Sequence, residues 1–309
     1  MWFAHASNDS PQQRLCRLLW VVLLVGISAL LIPARAALAE GQSVEALRAA
    51  RETLLTTLSH NQFQRPIHLE SSDNGKRLRG DIYADINSPF AAVSKALDEP
   101  NDWCDIMLTH LNTKQCHVQQ DKAGSVLVLG IVRRLDHPIE QAIELALRYR
   151  VTAATPEYLQ VELESPQGPF GTSNYRILLQ ATALPDGRSF LHFSYAYDST
   201  TLTRMVTQAY LATIGRGKVG FTIVGQRTDG TPDYLGGIRG LVERNAMRYF
   251  LAIEAYLGAV GVAPADQFEK RLDIWFSAIE RYPRQLHDVE RAHYLEVKRA
   301  DHQRRLSPS

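Results

Sequence analysis

The sequence has few cysteines, no excess of either charge and none of the short motifs that mark common active sites. Its 309 residues include three cysteines, and 34 Lys and Arg side chains are nearly balanced by 33 Asp and Glu. Three cysteines are too few for a disulfide-rich scaffold or a four-thiolate zinc site. A dedicated nucleic-acid binder is also disfavoured, because it would need a basic surface. Apolar residues make up 45% of the chain, which suffices for an ordinary globular core.

The chain also lacks a G-x-S-x-G elbow, an H-E-x-x-H helix and a glycine loop that could hold phosphate. The one histidine within a strand-like stretch, His192, is out of phase with Phe193 and Tyr195, which predicts a partnered residue on the outer face. We therefore predict no catalytic residue, no metal and no cofactor. A cyclase- or hydrolase-like activity on a hydrophobic substrate is the enzymatic alternative, and it requires a titratable group inside a cavity.

The N-terminus has the pattern of an export signal. Arg14 and Arg17 precede a 15-residue apolar run over 18–32, and the small residues Ala37-Leu38-Ala39 follow. The run is short for a bilayer-spanning helix, which needs about 20 apolar residues. We predict cleavage after Ala39 and a periplasmic protein, with an uncleaved signal anchor as the alternative.

Removal of the signal peptide would leave two cysteines, Cys104 and Cys116. In an oxidising compartment such a pair predicts a disulfide, worth about 3 kcal/mol by the loop-entropy argument. A zinc site that also uses His110 and His117 is the alternative. It is disfavoured because zinc sites usually begin with two ligands two to four residues apart.

Hydrophobic periodicity predicts an α+β fold. Successive segments predict a helix (44–60), a strand (77–86), two short helices (90–97 and 103–111), alternating strands (125–197), a helix-like insert (202–214), a last strand (218–226), a long helix (236–257) and a further helix from 268. The strands alternate apolar and polar residues, which is typical of an antiparallel sheet with one covered face. We expect a curved antiparallel sheet wrapped on the long C-terminal helix, with extra helices at both ends.

One stretch carries a family resemblance. The pattern Tyr83-x-x-Ile86-x-x-Pro89-Phe90-x-x-Val93-x-x-x-Leu97, followed by Pro100-x-x-Trp103, resembles the first strand and paired helices of the START-like (SRPBCC, helix-grip) superfamily. The chain would be an exported bacterial member. The resemblance implies a cavity for lipids, sterols or polyketides between sheet and helix. Together with the export pattern and the terminal helices, it predicts four regions: a signal peptide (1–39), an N-terminal helix and linker (40–66), a START-like domain (67–260) and a C-terminal helical extension (261–309).

Inward-facing aromatic residues are the candidate ligand contacts. The predicted set is Trp103, Tyr149, Phe193, Tyr195, Tyr197, Tyr249, Phe250 and Ile253. We predict a carrier of a hydrophobic small molecule or lipid, with Phe170 at a hairpin tip as a candidate for transient membrane contact and no protein partner identified. Two alternatives remain: the aromatic residues fill the core, or the chain is an interaction module that docks through the C-terminal extension.

Overall fold

One long antiparallel sheet organises the structure. The computed structural model describes residues 44–213 and 215–306, so the predicted signal peptide and its cleavage site lie outside the described residues. The chain divides into two units, Met1–Ala46 and Leu47–Ser309, and the sheet belongs to the second.

Ten strands are described, and eight of them form a single sheet. The strands are β1 (Ile67–Asp73), β2 (Arg77–Ile86), β3 (Thr113–Asp121), β4 (Gly124–Ile131), β5 (Ile143–Ala154), β6 (Tyr158–Gln167), β7 (Thr172–Ala183), β8 (Ser189–Ser199), β9 (Ile223–Gln226) and β10 (Pro232–Tyr234). The large sheet has the order β1-β2-β8-β7-β6-β5-β4-β3 with antiparallel neighbours throughout, whereas β9 and β10 form a separate hairpin.

The helices lie before, within and after this sheet in sequence. They are α1 (44–59), α2 (Phe90–Leu97), α3 (Pro100–Thr109), α4 (Thr201–Ala212), α5 (Gly237–Ala259), α6 (Gln267–Ile279), α7 (Pro283–Leu286) and α8 (Arg291–Leu306). No described helix meets the length and hydropathy required to span a membrane.

The long helix α5 packs closely on the inner face of the sheet. At Gly80 of β2, an added Cβ would lie 3.1 Å from both the Ala246 Cβ and the Val242 Cγ1. Gly80 pairs with Tyr195 across the β2–β8 ladder, so the position without a side chain is next to the aromatic residues of β8. The sheet and α5 can approach here because glycine leaves room for the helix.

The prediction that residues 218–226 form the last strand of the sheet is wrong. Only residues 223–226 of the predicted 218–226 segment are extended, and they pair with β10 instead of the large sheet. The preceding turn is held by Glu243 of α5, whose carboxylate accepts hydrogen bonds from the backbone N–H groups of Phe221 and Thr222. The segment is therefore bound to α5 and does not extend the large sheet.

Both edge strands were missed by the periodicity. β1 has the sequence IHLESSD and β3 has TKQCHVQQD. Each is rich in polar residues because an edge strand has solvent on one side and needs few apolar contacts. Their pairing is decided by neighbouring strands rather than by their own hydrophobic pattern.

The C-terminal helices are part of the same hydrophobic core. Trp275 of α6 is fully buried, and its indole N–H donates to the Arg248 carbonyl of α5. Tyr294 and Lys298 of α8 are also buried and donate to the carbonyls of Thr109 and His110, respectively. The helical extension thus covers the junction between α3 and β3.

The predicted disulfide is present. Cys104 of α3 and Cys116 of β3 are bonded, with their Cα atoms 5.3 Å apart, and both residues are buried. The bond excludes both sulfurs as zinc ligands and links α3 to the edge of the sheet.

The connectivity confirms the predicted α+β helix-grip architecture. After β2, the chain forms α2 and α3, and it then adds the strands from β3 to β8 one beside the next, so that β8 returns to pair with β2. The long helix α5 follows and lies on the concave face. Strand β1, helix α4 and the helices after α5 are additions to this core.

Candidate functional site

Four tyrosines meet between the sheet and α5. Tyr175 of β7, Tyr195 and Tyr197 of β8 and Tyr249 of α5 form what we call the tyrosine cluster. Ring centroids lie 5.3 Å apart for Tyr175–Tyr197, 5.4 Å for Tyr195–Tyr249 and 5.7 Å for Tyr195–Tyr197. These separations are typical of interacting aromatic pairs. The cluster therefore brings together three of the predicted ligand contacts.

Residual exposure divides the predicted contacts into two groups. The tyrosine cluster keeps between 4 and 9% of its surface accessible, and Tyr149 keeps 8%. In contrast, the other four predicted contacts have no accessible surface; they are Trp103, Phe193, Phe250 and Ile253. Among the predicted contacts, accessible surface is thus confined to side chains that carry a hydroxyl group.

Trp103 has a structural contact of its own. Its indole N–H donates to the Leu97 carbonyl at 2.9 Å, which links the end of α2 to α3. The ring centroid of Phe193 lies 6.4 Å from that of Tyr249. Phe193 therefore packs against the tyrosine cluster, and it has no accessible surface of its own.

Tyr149 contributes a buried hydroxyl with no described partner. It lies on β5 opposite Leu163 of β6 and shares its row of the sheet with Tyr195. Its Oη has no hydrogen-bond partner among the described residues. Burial raises its pKa, and the carboxylates of Asp98 and Glu99 raise it further, so the phenol stays protonated. An unpaired buried hydroxyl costs about 1–3 kcal/mol, which a ligand oxygen or nitrogen could recover.

His110 is a second buried group with unused hydrogen-bonding capacity. Its ring stacks on Tyr249 at 4.6 Å, and its Nδ1 accepts the backbone N–H of Asn112 at 3.2 Å. A neutral ring with Nδ1 as acceptor carries its hydrogen on Nε2. In the described part of the chain Nε2 has no partner. Burial lowers the pKa of His110 well below its ordinary value, and nearby Arg248 lowers it further, so the ring is a neutral donor.

Sequence reasoning missed Tyr175 and the position of His110 beside the cluster. Tyr175 is in phase with Ile177 and Leu179, so extending the alternation of β7 by one step would have found it. His110 gave no comparable signal. Its place beside the cluster depends on α5, which lies more than a hundred residues further along the chain.

Helix α4 lies beside the cluster and exposes an apolar face. Its polar side is anchored: Thr203 Oγ1 donates to the Gly171 carbonyl, and Arg204 pairs with Asp73. The solvent-facing part of the helix exposes Leu202, Met205, Val206 and Tyr210, by 41 to 71% of their surface. Phe170, the predicted candidate for membrane contact, is half-buried, with the Arg133 guanidinium 4.5 Å from its ring centre.

The phenols of the cluster are neutral hydrogen-bonding groups. Burial raises the pKa values of Tyr195 and Tyr249, so both remain neutral hydroxyl groups near neutral pH. His192 lies on the outer face, as predicted, where its Nε2 is 2.8 Å from Asp81 and its Nδ1 is 2.8 Å from Gln180. The described residues contain no group of three or more His, Cys, Asp or Glu arranged to hold a metal ion. The cluster can orient a molecule by hydrogen bonds.

Comparisons with known proteins return structural similarities only. No family profile and no curated protein matches the sequence. Norcoclaurine synthase from Thalictrum flavum has a TM-score of 0.33 and 11% identity over 47% of this chain and 89% of that chain. The lipid transfer and protein localization domain of human StarD13 has a TM-score of 0.30 and 12% identity over 43% of this chain and 71% of its own.

A START superfamily protein from Mycobacterium smegmatis is a third similar structure. Its TM-score is 0.29 and its identity 12%, over 46% of this chain and 96% of that chain. The fold is defined by its connectivity: β8 pairs with β2, two helices follow β2, and a long helix packs on the inner face of the sheet. By that connectivity, the chain has a START-like helix-grip fold.

Proposed function

We propose that this protein binds and carries a hydrophobic small molecule, such as a lipid or a sterol, at the tyrosine cluster. The observation that carries the proposal is that four tyrosines, each with a small accessible fraction, meet between the sheet and α5 beside fully buried apolar side chains such as Phe193 and Phe250. Ligand sites are typically apolar with a few well-placed polar groups. The phenols, together with the unpaired Tyr149 hydroxyl and His110 N–H, suit a ligand with an apolar body and one neutral polar group.

A transient contact with a membrane would deliver such a ligand. The support for this step is the apolar face of α4, because exposed large apolar side chains grouped on one helix face favour insertion at a lipid surface. Its anchoring to Gly171 and Asp73 holds that face beside the end of β8 that carries Tyr195 and Tyr197.

The carrier would work in the periplasm. The export pattern before Ala39 and the Cys104–Cys116 bond both favour an oxidising compartment. We expect protein recovered from the periplasmic fraction to begin at Glu40, as read by intact mass. A chain that retains residues 1–39 and sediments with membranes would contradict this.

Native mass spectrometry of the exported protein tests the carrier function. We expect a bound species that organic solvent releases as a neutral, largely apolar molecule. The matched variants are Tyr195→Phe with Tyr249→Phe inside the cluster, and Tyr83→Phe on the outer face. The bound fraction should fall in the first variant and remain in the second. Absence of any bound or acquired apolar molecule would contradict the proposal.

A further inference from the structure

A second concave site lies outside the helix-grip core. It is a cleft of about 500 Å³, a volume within the range of small-molecule sites. Three added segments line it: the residues just before β1, the connection between β8 and α5, and the turn between α6 and α7. None of its lining residues belongs to the tyrosine cluster, so the cleft is a separate site.

The floor of the cleft is aromatic. Phe63, Phe221 and Tyr282 are buried, and their ring centroids lie 5.5 to 5.9 Å apart in tilted and edge-to-face pairs. The Phe221 backbone is fixed because its N–H donates to the buried Glu243 carboxylate at 2.6 Å. These contacts give the cleft a preformed apolar surface against which a flat or apolar group can pack.

The rim of the cleft is positively charged. Arg281 and Arg284 are exposed, and neither guanidinium has a hydrogen-bond or ion-pair partner in the part of the chain that the structure describes. Arg65 also lines the cleft and pairs with Glu254. Burial raises the pKa of the Tyr282 hydroxyl, and the neighbouring Arg65 guanidinium lowers it. No acidic residue is found among the described residues that line the site.

We propose that this cleft binds an organic anion in which a carboxylate or phosphate is attached to an apolar, preferably aromatic, body. The two free guanidinium groups have the planar fork that matches carboxylate and phosphate oxygens. The aromatic floor accepts the apolar body, and the absence of lining carboxylates removes the repulsion that an anion would otherwise meet. This proposal does not depend on a ligand at the tyrosine cluster.

Two fluorescent probes of similar shape, one anionic and one neutral, test whether the cleft binds an organic anion. Anilinonaphthalene sulfonate carries an anionic group, whereas N-phenylnaphthylamine is neutral. Both would be titrated into the chain that begins at Glu40. We expect the Arg281→Ala with Arg284→Ala variant to weaken binding of the anionic probe by about tenfold or more, and to leave the neutral probe unchanged. Octanoate should displace the anionic probe, and octanol should not.

The matched control removes two positive charges from a part of the surface outside the cleft. Arg134 and Arg150 are exposed arginines outside the cleft, and the variant with both changed to alanine should bind the anionic probe like the wild type. Circular dichroism confirms that each variant is folded. Three results would each overturn the proposal: no binding of the anionic probe, an equal loss in the control variant, or an equal loss of both probes.

Discussion

Buried polar side chains in this protein are of two kinds. Glu243 is fully buried, and its two oxygens accept four hydrogen bonds, from the backbone of Phe221 and Thr222 and from two hydroxyl groups. In contrast, Tyr149 Oη and His110 Nε2 have no described partner. A satisfied group stabilises the fold, whereas an unpaired one is free to bind a ligand.

Replacing Glu243 should destabilise the fold. Glu243→Ala would leave two backbone N–H groups unpaired where Glu243 is fully buried. We expect a loss of about 3 kcal/mol or more in the free energy of unfolding, measured with urea. Glu164→Ala, which removes a half-exposed ion pair on the outer face, should cost less than about 1 kcal/mol. Similar losses in the two variants would contradict the role of Glu243.

Lys298 predicts a pH dependence of stability. Burial lowers its pKa to about 7, and the nearby Lys114 lowers it as well, whereas the unfolded side chain titrates near 10.4. Between these values the unfolded state binds a proton that the folded state lacks. Stability should therefore rise with pH in this window, by at most about 1.4 kcal/mol per pH unit.

The measurement compares urea denaturation at pH 7 and pH 9.5. The wild type should gain stability over this interval relative to Lys298→Met, whose baseline stability is lower because two carbonyls lose their donor. Lys95→Met, at an exposed position on α2, should keep the slope of the wild type. A Lys298→Met slope equal to that of the wild type would show that Lys298 does not carry the effect.

At the scale of elements, sequence periodicity predicted the strands and helices that have one face buried in the core. The inner strands and α5 follow strict alternation or a helical stripe, and they match the structure. The edge strands β1 and β3 and the hairpin β9–β10 do not, because their conformation depends on the neighbours with which they pair. Helix α4 was predicted as a helix. Its apolar residues recur at the same spacing as those of a buried helix face, so the sequence does not show that they are exposed.

The contact between β2 and α5 predicts the effect of a larger residue at Gly80. In Gly80→Val the new side chain would meet Val242 and Ala246, and the helix would have to move. We expect a loss of about 2–3 kcal/mol in the free energy of unfolding. Gly225→Val on β9 is the matched control and should cost little, because nothing lies within 4 Å of that position and its backbone is not left-handed. A stable Gly80→Val protein would contradict the close approach.

The apolar face of α4 predicts lipid binding. Changing Leu202, Met205 and Val206 to serine should reduce co-sedimentation with phosphatidylglycerol vesicles by about tenfold or more. Serine at the scattered exposed positions Leu55, Val151 and Val260 removes a similar number of apolar side chains and should have little effect. Equal binding by the two variants would show that α4 is not the contact.

For the whole molecule, the order of elements was sufficient to predict the helix-grip fold, because a sheet with one apolar face needs a helix to cover it. The site was predicted in part. Tyr195, Tyr197 and Tyr249 were identified by phase alone, whereas the separation of accessible tyrosines from the packed Phe193 and Phe250 depends on three-dimensional packing. The cleft between the added segments left no local pattern, because its lining comes from three distant stretches.

The central claim is that a neutral, mostly apolar molecule binds at the tyrosine cluster. Titration with the fluorescent sterol dehydroergosterol, whose single polar group is a hydroxyl, tests this most directly. We predict saturable one-to-one binding that weakens by about tenfold in the Tyr195→Phe with Tyr249→Phe variant and is unchanged in Tyr83→Phe. No sterol binding, or equal affinity in all three proteins, would contradict the claim.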